Sequence, residues 1–357
     1  MNPPIISVVM SVYNGQTFLA EAVESILGQT FPDFEFVVID DGSTDRTPEI
    51  LAAYACRDAR IRVFRQENKG RTESLNIGIG LAQGKYIARI DADDIALPDR
   101  LNAQLEFMEQ HPEVGLLGGP VELINTTGQV IRTVTPPLED AGIKLLMLRY
   151  NPIYHSSVLM RKELVLATGG YRMPFDESED YDLWLRIGER SGLAILDHPI
   201  VQYRIHSNQV SVRKLEHQML CIIAARTAAR LRRSGSPDPL SAVDRVTPQL
   251  LQNLGVTQAE IHEALLEAYG YWTETLSLAD PKASLGGIED LLRLPEAESF
   301  DRSVLANAWL KSAGIHYRGG RPLKALVSTG RAVLLRPMVA VRPVKWAYTR
   351  LAAAIRG

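Results

Sequence analysis

Apolar residues follow two alternating rhythms through the first half of this chain. Ile5 to Val12 is almost continuously apolar, as in a strand buried on both faces. Phe18, Leu19, Ala22, Val23, Ile26 and Leu27 then recur at helical spacing on one face. Phe34 to Ile39 reads as a second strand, ending in Asp40-Asp41-Gly42-Ser43. Thr47-Pro48 predicts a cap and a first-turn proline for a helix carrying Ile50, Leu51 and Tyr54. Ile61 to Phe64 is a third strand, and Thr72 to Ala82 reads as a helix despite Gly78 and Gly80. Tyr86 to Ile90, a fourth strand, runs straight into Asp91-Ala92-Asp93-Asp94. A helix follows Pro98, with Leu101, Leu105 and Met108 facing inward. This alternation predicts an α/β fold with a mainly parallel sheet flanked by helices.

The rhythm loosens after Val114. Short strands are expected around 115–124 and 155–160, helices near 141–149 and 181–190, and extended chain from Ala194 to Ile205. From about Leu215 the sequence becomes rich in Ala and Leu, with a break at Ser234-Gly235-Ser236-Pro237. The expected division is an α/β domain over 1–212 and an α-helical C-terminal region over 213–357.

Composition narrows the function classes. The 357 residues are 46% hydrophobic and 23% charged, with a net charge of -3. A general nucleic-acid binder would show a basic excess. Cys56 and Cys221 form neither a disulfide framework nor a metal-site spacing, which favours a reducing compartment. Met1-Asn2-Pro3-Pro4 lacks the basic start of a signal peptide, and no run of about 18 apolar residues occurs. The expected location is cytoplasmic, with peripheral contact at the inner face of the plasma membrane as an extension.

In an open α/β sheet, ligands bind beyond the carboxyl ends of the strands. Two early strands end in acids, Asp40-Asp41 and Asp91-Ala92-Asp93-Asp94, about 50 residues apart. Gathered like charges need a cation or donors to compensate them. Oxygen ligands suit Mg²⁺ or Mn²⁺, which also bridge the phosphates of a nucleotide. The competing reading is a solvated acidic turn, with Asp99 as a helix cap.

Four motifs now stand in order: Ser7 to Asn14, Val38 to Asp45, Asp91-Ala92-Asp93-Asp94, and Ser178-Glu179-Asp180-Tyr181-Asp182-Leu183. Together they resemble the family 2 inverting glycosyltransferases across roughly residues 4–210. That resemblance implies the GT-A fold, a nucleotide-binding α/β half joined to an acceptor-binding half.

The resemblance also implies roles. Tyr13 matches the residue that packs on the nucleobase, with Ser11 beside it; a strand-end aromatic covering the core is the alternative. Asp41 matches the acceptor for the uracil ring N–H, which suits an acceptor-only carboxylate; capping of the next turn is the alternative. Lys69 and Arg71 flank Gly70 where basic groups approach the diphosphate, or they are solvated surface residues. Asp91 resembles the ribose contact and Asp93 the metal-binding carboxylate, with Asp94 a less settled third acid. Asp180 matches the catalytic base of an inverting transfer, while Glu179 or Asp182 could serve the helix start electrostatically. His206 stands where related enzymes add a metal or diphosphate contact, and Arg204 is a comparable diphosphate candidate. His155 resembles an acceptor-side position, or is a core histidine. For Trp184, packing is preferred to sugar stacking.

From Tyr317 to Gly357 no acidic residue occurs, while Arg318, Arg321, Lys324, Arg331, Arg336, Arg342, Lys345, Arg350 and Arg356 are basic. With apolar residues interleaved, this could lie on an anionic membrane surface. A helical subdomain with a solvated basic face is the plainer reading, and residues 306–337 faintly resemble a tetratricopeptide-type helix pair.

The leading expectation is an inverting glycosyltransferase using a UDP-sugar and Mn²⁺ or Mg²⁺. Its acceptor would be a saccharide or lipid-linked saccharide in cell-surface polysaccharide biosynthesis, with no nucleic-acid partner. A sugar nucleotidyltransferase is an alternative, but its glycine- and arginine-rich loop does not fit Tyr13-Asn14-Gly15-Gln16-Thr17-Phe18. A catalytically inactive sugar-nucleotide-binding module is another, against which the joint presence of Asp93 and Asp180 argues.

Overall fold

The structure, a computed structural model, describes residues 3–206, 209, 214–279, 306, 309–310, 312–314, 316 and 322–335. The chain forms two compact units, residues 1–204 with 216–257, and residues 205–215 with 258–357.

The first unit opens with the expected alternation. Strands β1 (Ile6–Val12), β2 (Phe34–Asp40), β3 (Ile61–Arg65) and β4 (Tyr86–Arg89) enclose helices α1 (Leu19–Leu27), α2 (Thr47–Arg57) and α3 (Arg71–Leu81) between them. β2 is buried at every position and β1 at all but one, which is why their sequences are almost unbroken apolar runs. β1 pairs in parallel with β2 and with β4, and β2 in parallel with β3. Gly78 lies where α3 crosses β1: a Cβ there would stand 2.6 Å from Val9 Cγ1. The glycine that weakens the helix signal is therefore a close-packing position.

Next come β5 (Ile95–Ala96), α4 (Arg100–Gln110), β6 (Val114–Gly118), β7 (Val121–Ile124), β8 (Val130–Val134) and α5 (Asp140–Leu146). They are followed by β9 (Leu159–Arg161), α6 (Lys162–Ala167), α7 (Glu179–Gly188), β10 (Gly192–Ile195) and β11 (Val201–Arg204). The main sheet has the order β10-β6-β9-β4-β1-β2-β3, with β9 antiparallel to both neighbours, and β5-β11-β7-β8 form a smaller sheet. The architecture is thus mixed α/β, with helices flanking the central sheet.

Two local expectations change. Arg46, not Thr47, is the N-cap of α2, and the Thr47 hydroxyl instead accepts a hydrogen bond from Gly15 N–H at 2.9 Å. The strand expected over 155–160 starts late, because His155–Ser157 is a 3-10 turn closed by Ser157 N–H on Tyr154 O at 2.9 Å.

Helix α8 (Leu215–Arg233) follows, with α9 (Pro248–Asn253) after it. Residues 216–257 lie on the helical side of the expected 212/213 boundary, yet they cluster with the sheet. Buried charge explains the attachment. Asp182 on α7 is paired with Arg172 and Arg186, Arg172 also reaches Asp238, and Arg232 of α8 joins Asp238 to Glu189.

In the second unit, α10 (Gln258–Ala279) and α11 (Pro322–Leu335) are the long helices among the described residues. Ala306 and Ala332 are buried together there, and Arg331 lies over the Trp309 ring. Lys324 and Arg331 are exposed on α11. The basic residues Arg318, Arg321, Arg336, Arg342, Lys345, Arg350 and Arg356 lie outside the described residues. Among the described residues, no helix is long and apolar enough to cross a membrane.

Candidate functional site

Parallel pairing brings three strand ends together. Val12 lies opposite Asp40, Asp41 N–H donates to Val12 O at 2.9 Å, and Ile90 N–H reaches Val9 O. Tyr13, Asp41 and Asp91 therefore leave the sheet side by side at its carboxyl edge, where α/β sheets bind ligands. Tyr13 is 53% exposed, so its ring covers no core, and Ser11 is half-buried one strand step behind.

The first two loops are stitched to each other. Asn14 adopts a φ of 53°, which asparagine tolerates, and its side-chain oxygen accepts from the N–H groups of Thr44 and Asp45. Asn14 N–H in turn donates to Ser43 Oγ. Asp40 and Asp41 divide the remaining work. Asp40 Oδ1 caps the turn through Ser43 N–H at 3.0 Å. Asp41 holds the loop beyond β3: Oδ1 accepts from Gln66 Nε2 and Lys69 N–H, both at 2.8 Å, and Oδ2 from Gly70 N–H at 2.9 Å. A carboxylate has about four lone-pair directions, so a place remains on Oδ2 for one further donor.

The acidic loop after β4 is fixed from several sides. Asp91 Oδ1 accepts from Arg89 at 2.5 Å, and Ser156 Oγ donates to Asp91 Oδ2 at 3.1 Å. Burial works against its charge, but Arg89 and Arg71 hold its carboxyl below the ordinary value. Asp94 is 1% exposed; Oδ1 accepts from Arg204 N–H at 2.8 Å while Oδ2 is buried with no hydrogen-bond partner. Burial and the charges of Asp93 and Asp91 push the Asp94 carboxyl well above its ordinary value.

Arg204 clamps this loop. Its Nε donates to Asp93 O at 2.8 Å, Nη1 to the carbonyls of Asn125 and Thr126, and Nη2 to Glu21, with Phe18 under the guanidinium. A diphosphate ligand was one expectation for Arg204; its guanidinium is instead engaged by protein oxygens.

On the other side, α7 begins at Glu179. Asp180 Oδ2 accepts from Asn151 Nδ2 at 2.9 Å and Oδ1 from Tyr181 N–H at 2.7 Å. Burial, then the neighbouring Glu179 charge, push Asp180 up to about 7, with Arg71 opposing. Glu179 is fully buried and paired with Arg71: Nη2 donates to Oε2 at 3.1 Å, while Nε lies 3.0 Å from Oε1 without completing a hydrogen bond. Arg71 thus faces the start of α7, whereas the half-exposed Lys69 pairs with Glu73. Glu177, just before the helix, sits at φ 79°, a strained conformation of the kind that clusters at functional sites.

His155 is buried and its Nε2 lies 2.7 Å from the Tyr171 hydroxyl; burial and the charges of Arg89 and Arg71 keep it well below its ordinary pKa. Trp184 is fully buried, edge-on to His155 and Tyr171, so it packs. His206 belongs to the second compact unit, where its N–H donates to Gln209 Oε1 at 2.8 Å.

The donor set can be tested against a divalent cation. Asp94 Oδ2 lacks a hydrogen bond in a buried place already crowded by two carboxylates, so a positive charge there would relieve it. Among the described residues no group of three or more His, Cys, Asp and Glu side chains could hold a metal by itself. Mg²⁺ commonly takes only one or two carboxylates and completes its shell with water and substrate phosphate, so the fit rests on the Asp94 oxygen rather than on a full ligand cage.

Sequence reasoning missed Arg89, Ser156 and Asn151, and underrated Glu179. Alternation in Arg89-x-Asp91 could have found the first. Nothing in the sequence around Asn151 points to Asp180.

This arrangement has counterparts. The model of glycosyl transferase family 2 matches residues 7–166. The O-antigen biosynthesis glycosyltransferase WbnJ of Escherichia coli is 32% identical over 207 residues, covering 57% of this chain and 80% of that one. Staphylococcus aureus TarS 1-349, solved in complex with UDP-GlcNAc, is 17% identical at a TM-score of 0.55 over 91% of this chain and 90% of that one. The mannosyltransferase PcManGT of Pyrobaculum calidifontis, solved with GDP-Man and Mn2+, is 17% identical at a TM-score of 0.52 over 93% of this chain and 88% of that one. Such structural likeness at low identity establishes the shared fold, and the relative's coverage and the matched model establish the lineage. The chain belongs to glycosyl transferase family 2 and is a glycosyltransferase of the GT-A fold.

Proposed function

We propose that this glycosyltransferase inverts the anomeric centre, uses a UDP-sugar with Mn²⁺ or Mg²⁺, and glycosylates a saccharide or lipid-linked saccharide of the cell surface. The observation that carries the reading is the separation of two acidic stations, Asp91 to Asp94 at the end of β4 and Asp180 at the start of α7.

Tyr13 stacks on the nucleobase and Asp41 Oδ2 accepts its ring N–H, with Ser11 beside them. Asp91 receives the ribose. Lys69 and Arg71 frame the diphosphate side. Asp93, with the buried Asp94 behind it, would hold the cation. When bound, the cation acts as a Lewis acid on the departing diphosphate, so no protein acid is needed on that side.

Asp180 takes the proton of the acceptor hydroxyl. The acceptor oxygen then forms its bond to C1 while the bond from C1 to the diphosphate oxygen breaks, and the electron pair leaves with the nucleoside diphosphate. A carboxyl poised near neutrality suits that task, being partly ionised at neutral pH and more basic than an ordinary carboxylate. The solved neighbour with UDP-GlcNAc supports a UDP donor, the one with Mn2+ supports a cation, and the O-antigen relative supports a polysaccharide product.

A donor panel assayed for nucleotide release with Mn²⁺ and with chelator tests the reading. Release of UDP from one UDP-sugar, dependent on cation and acceptor, is the expected result. Tight UDP binding without turnover of any donor would indicate an inactive binding module, and pyrophosphate formed from UTP and a sugar phosphate would indicate a nucleotidyltransferase.

A further inference from the structure

Glu179 has no evident duty in the transfer step, yet it is fully buried and paired with Arg71, whose Nη2 donates to Oε2 at 3.1 Å while Nε lies 3.0 Å from Oε1. A buried ion pair anchored by a directed hydrogen bond from a guanidinium fixes the orientation of both partners as well as their separation. Its location gives it meaning. Arg71 opens α3 directly after Gly70, whose N–H is held by Asp41 Oδ2 at 2.9 Å, and Gly70 itself takes a φ of 92°. Glu179 opens α7 directly before Asp180. A continuous set of contacts therefore runs from Asp41, through the 69–70 backbone and Arg71, to Glu179 and the base. The two ends lie more than a hundred residues apart in sequence, and Arg71 to Glu179 is a separation of 108.

We propose that the Arg71–Glu179 pair is a positioning element for the transfer reaction, tying Asp180 to the nucleotide-side loop that Asp41 holds. The inference rests on the reading of Asp180 as base. Neither residue needs to touch the acceptor; Glu179 acts through Asp180, and Arg71 does so in addition to its place on the diphosphate side.

The pair also sets the charge around that carboxyl. Facing Asp180 are Glu179 on its own helix, Arg71 on α3 and Asp91 in the loop after β4; Tyr171 and Asp176 lie in the segment preceding α7, and the Tyr181 N–H is bound to it. Glu179 pushes Asp180 up and Arg71 pulls it down, so the two members of the pair oppose each other at that carboxyl. Removing one partner must expose the other. Glu179→Gln deletes an acid and leaves Arg71 uncompensated, both of which favour ionised Asp180. Arg71→Gln removes the cation that favours ionised Asp180, which moves that carboxyl the other way.

The test is the pH dependence of kcat/KM for wild type, Glu179→Gln, Arg71→Gln and Arg71→Lys, with thermal denaturation confirming that each variant is folded. The acid limb is expected to move down by on the order of one pH unit in Glu179→Gln and up by a similar amount in Arg71→Gln. Arg71→Lys keeps the charge and loses the planar guanidinium, so its limb should stay in place while kcat falls about ten-fold or more. A merely structural pair would lower rates without moving the limbs in opposite directions. Limbs that coincide with wild type in both Gln variants, or that move the same way, overturn the proposal. Asp180→Asn keeps the two ideas apart: if it transfers sugar at the wild-type rate, the base assignment itself fails; if it is silent while the limbs stay fixed, the pair alone fails.

Discussion

Arg204 donates its main-chain N–H to Asp94 Oδ1 at 2.8 Å across 110 residues of sequence. One residue thereby fixes the acidic loop by its backbone while its guanidinium, 1% exposed, ties down Asp93 O, Asn125 O, Thr126 O and Glu21. Arg204→Ala should therefore act on loop order before chemistry. It unpairs part-buried carbonyls and empties the place over the Phe18 ring, a loss of about 2–4 kcal/mol. Calorimetry should show the midpoint lowered by roughly 4–16 °C, given about 2–4 °C per kcal/mol in a domain of this size. An unchanged midpoint would mean the clamp is not holding anything.

Asp94 tests the cation. Asp94→Asn keeps an oxygen for the Arg204 N–H and removes one charge from a crowded buried place. Wild type with UDP should gain heat stability when Mn²⁺ is added, by about 2.7 kcal/mol at a hundred-fold excess over Kd, and lose it to EDTA. The variant should show most of that gain abolished, without a lower midpoint in chelator. If Mn²⁺ stabilises both proteins equally, the cation does not sit beside Asp94.

The raised Asp180 carboxyl fixes the direction of the pH profile. A base must be ionised, and burial with Glu179 nearby places half-ionisation at about 7. Activity should thus fall as pH drops through that value, by about ten-fold per unit in kcat/KM on the acid side. A profile flat down to pH 5 would remove Asp180 from the proton-transfer step.

Gly78 tests the packing beneath the site. A methyl group there would lie 2.6 Å from Val9 Cγ1, in a core where Val9 is 1% exposed. Gly78→Ala should cost about 1–3 kcal/mol through overpacking, although alanine is the better helix former. Urea unfolding gives the answer, and a variant more stable than wild type would show that α3 can move away from β1.

These residues also show what the sequence makes legible. The parallel half was plain because buried strands must be apolar and the acids at their ends interrupt that pattern abruptly, as at Ile39-Asp40 and Ile90-Asp91. Partners of those acids were less visible. Asn151, Ser156 and Arg204 reach Asp180, Asp91 and Asp94 only through long-range packing, and no local periodicity encodes such a contact. Thr47 looked like a helix cap because its type and place fit one, but the Gly15 N–H competes for the same hydroxyl. Arg71 looked like a diphosphate ligand by its position after Gly70, and its bond to Glu179 came into view only in three dimensions.

The central claim is that donor binding and acceptor activation are carried by different acids. Asp180→Asn separates them most directly, measured by sugar transfer and by titration calorimetry of UDP with Mn²⁺ on the same preparation. The account predicts transfer reduced by about a hundred- to ten-thousand-fold with UDP affinity nearly intact. Collapse of UDP binding alongside transfer would place Asp180 in the donor site and contradict the account.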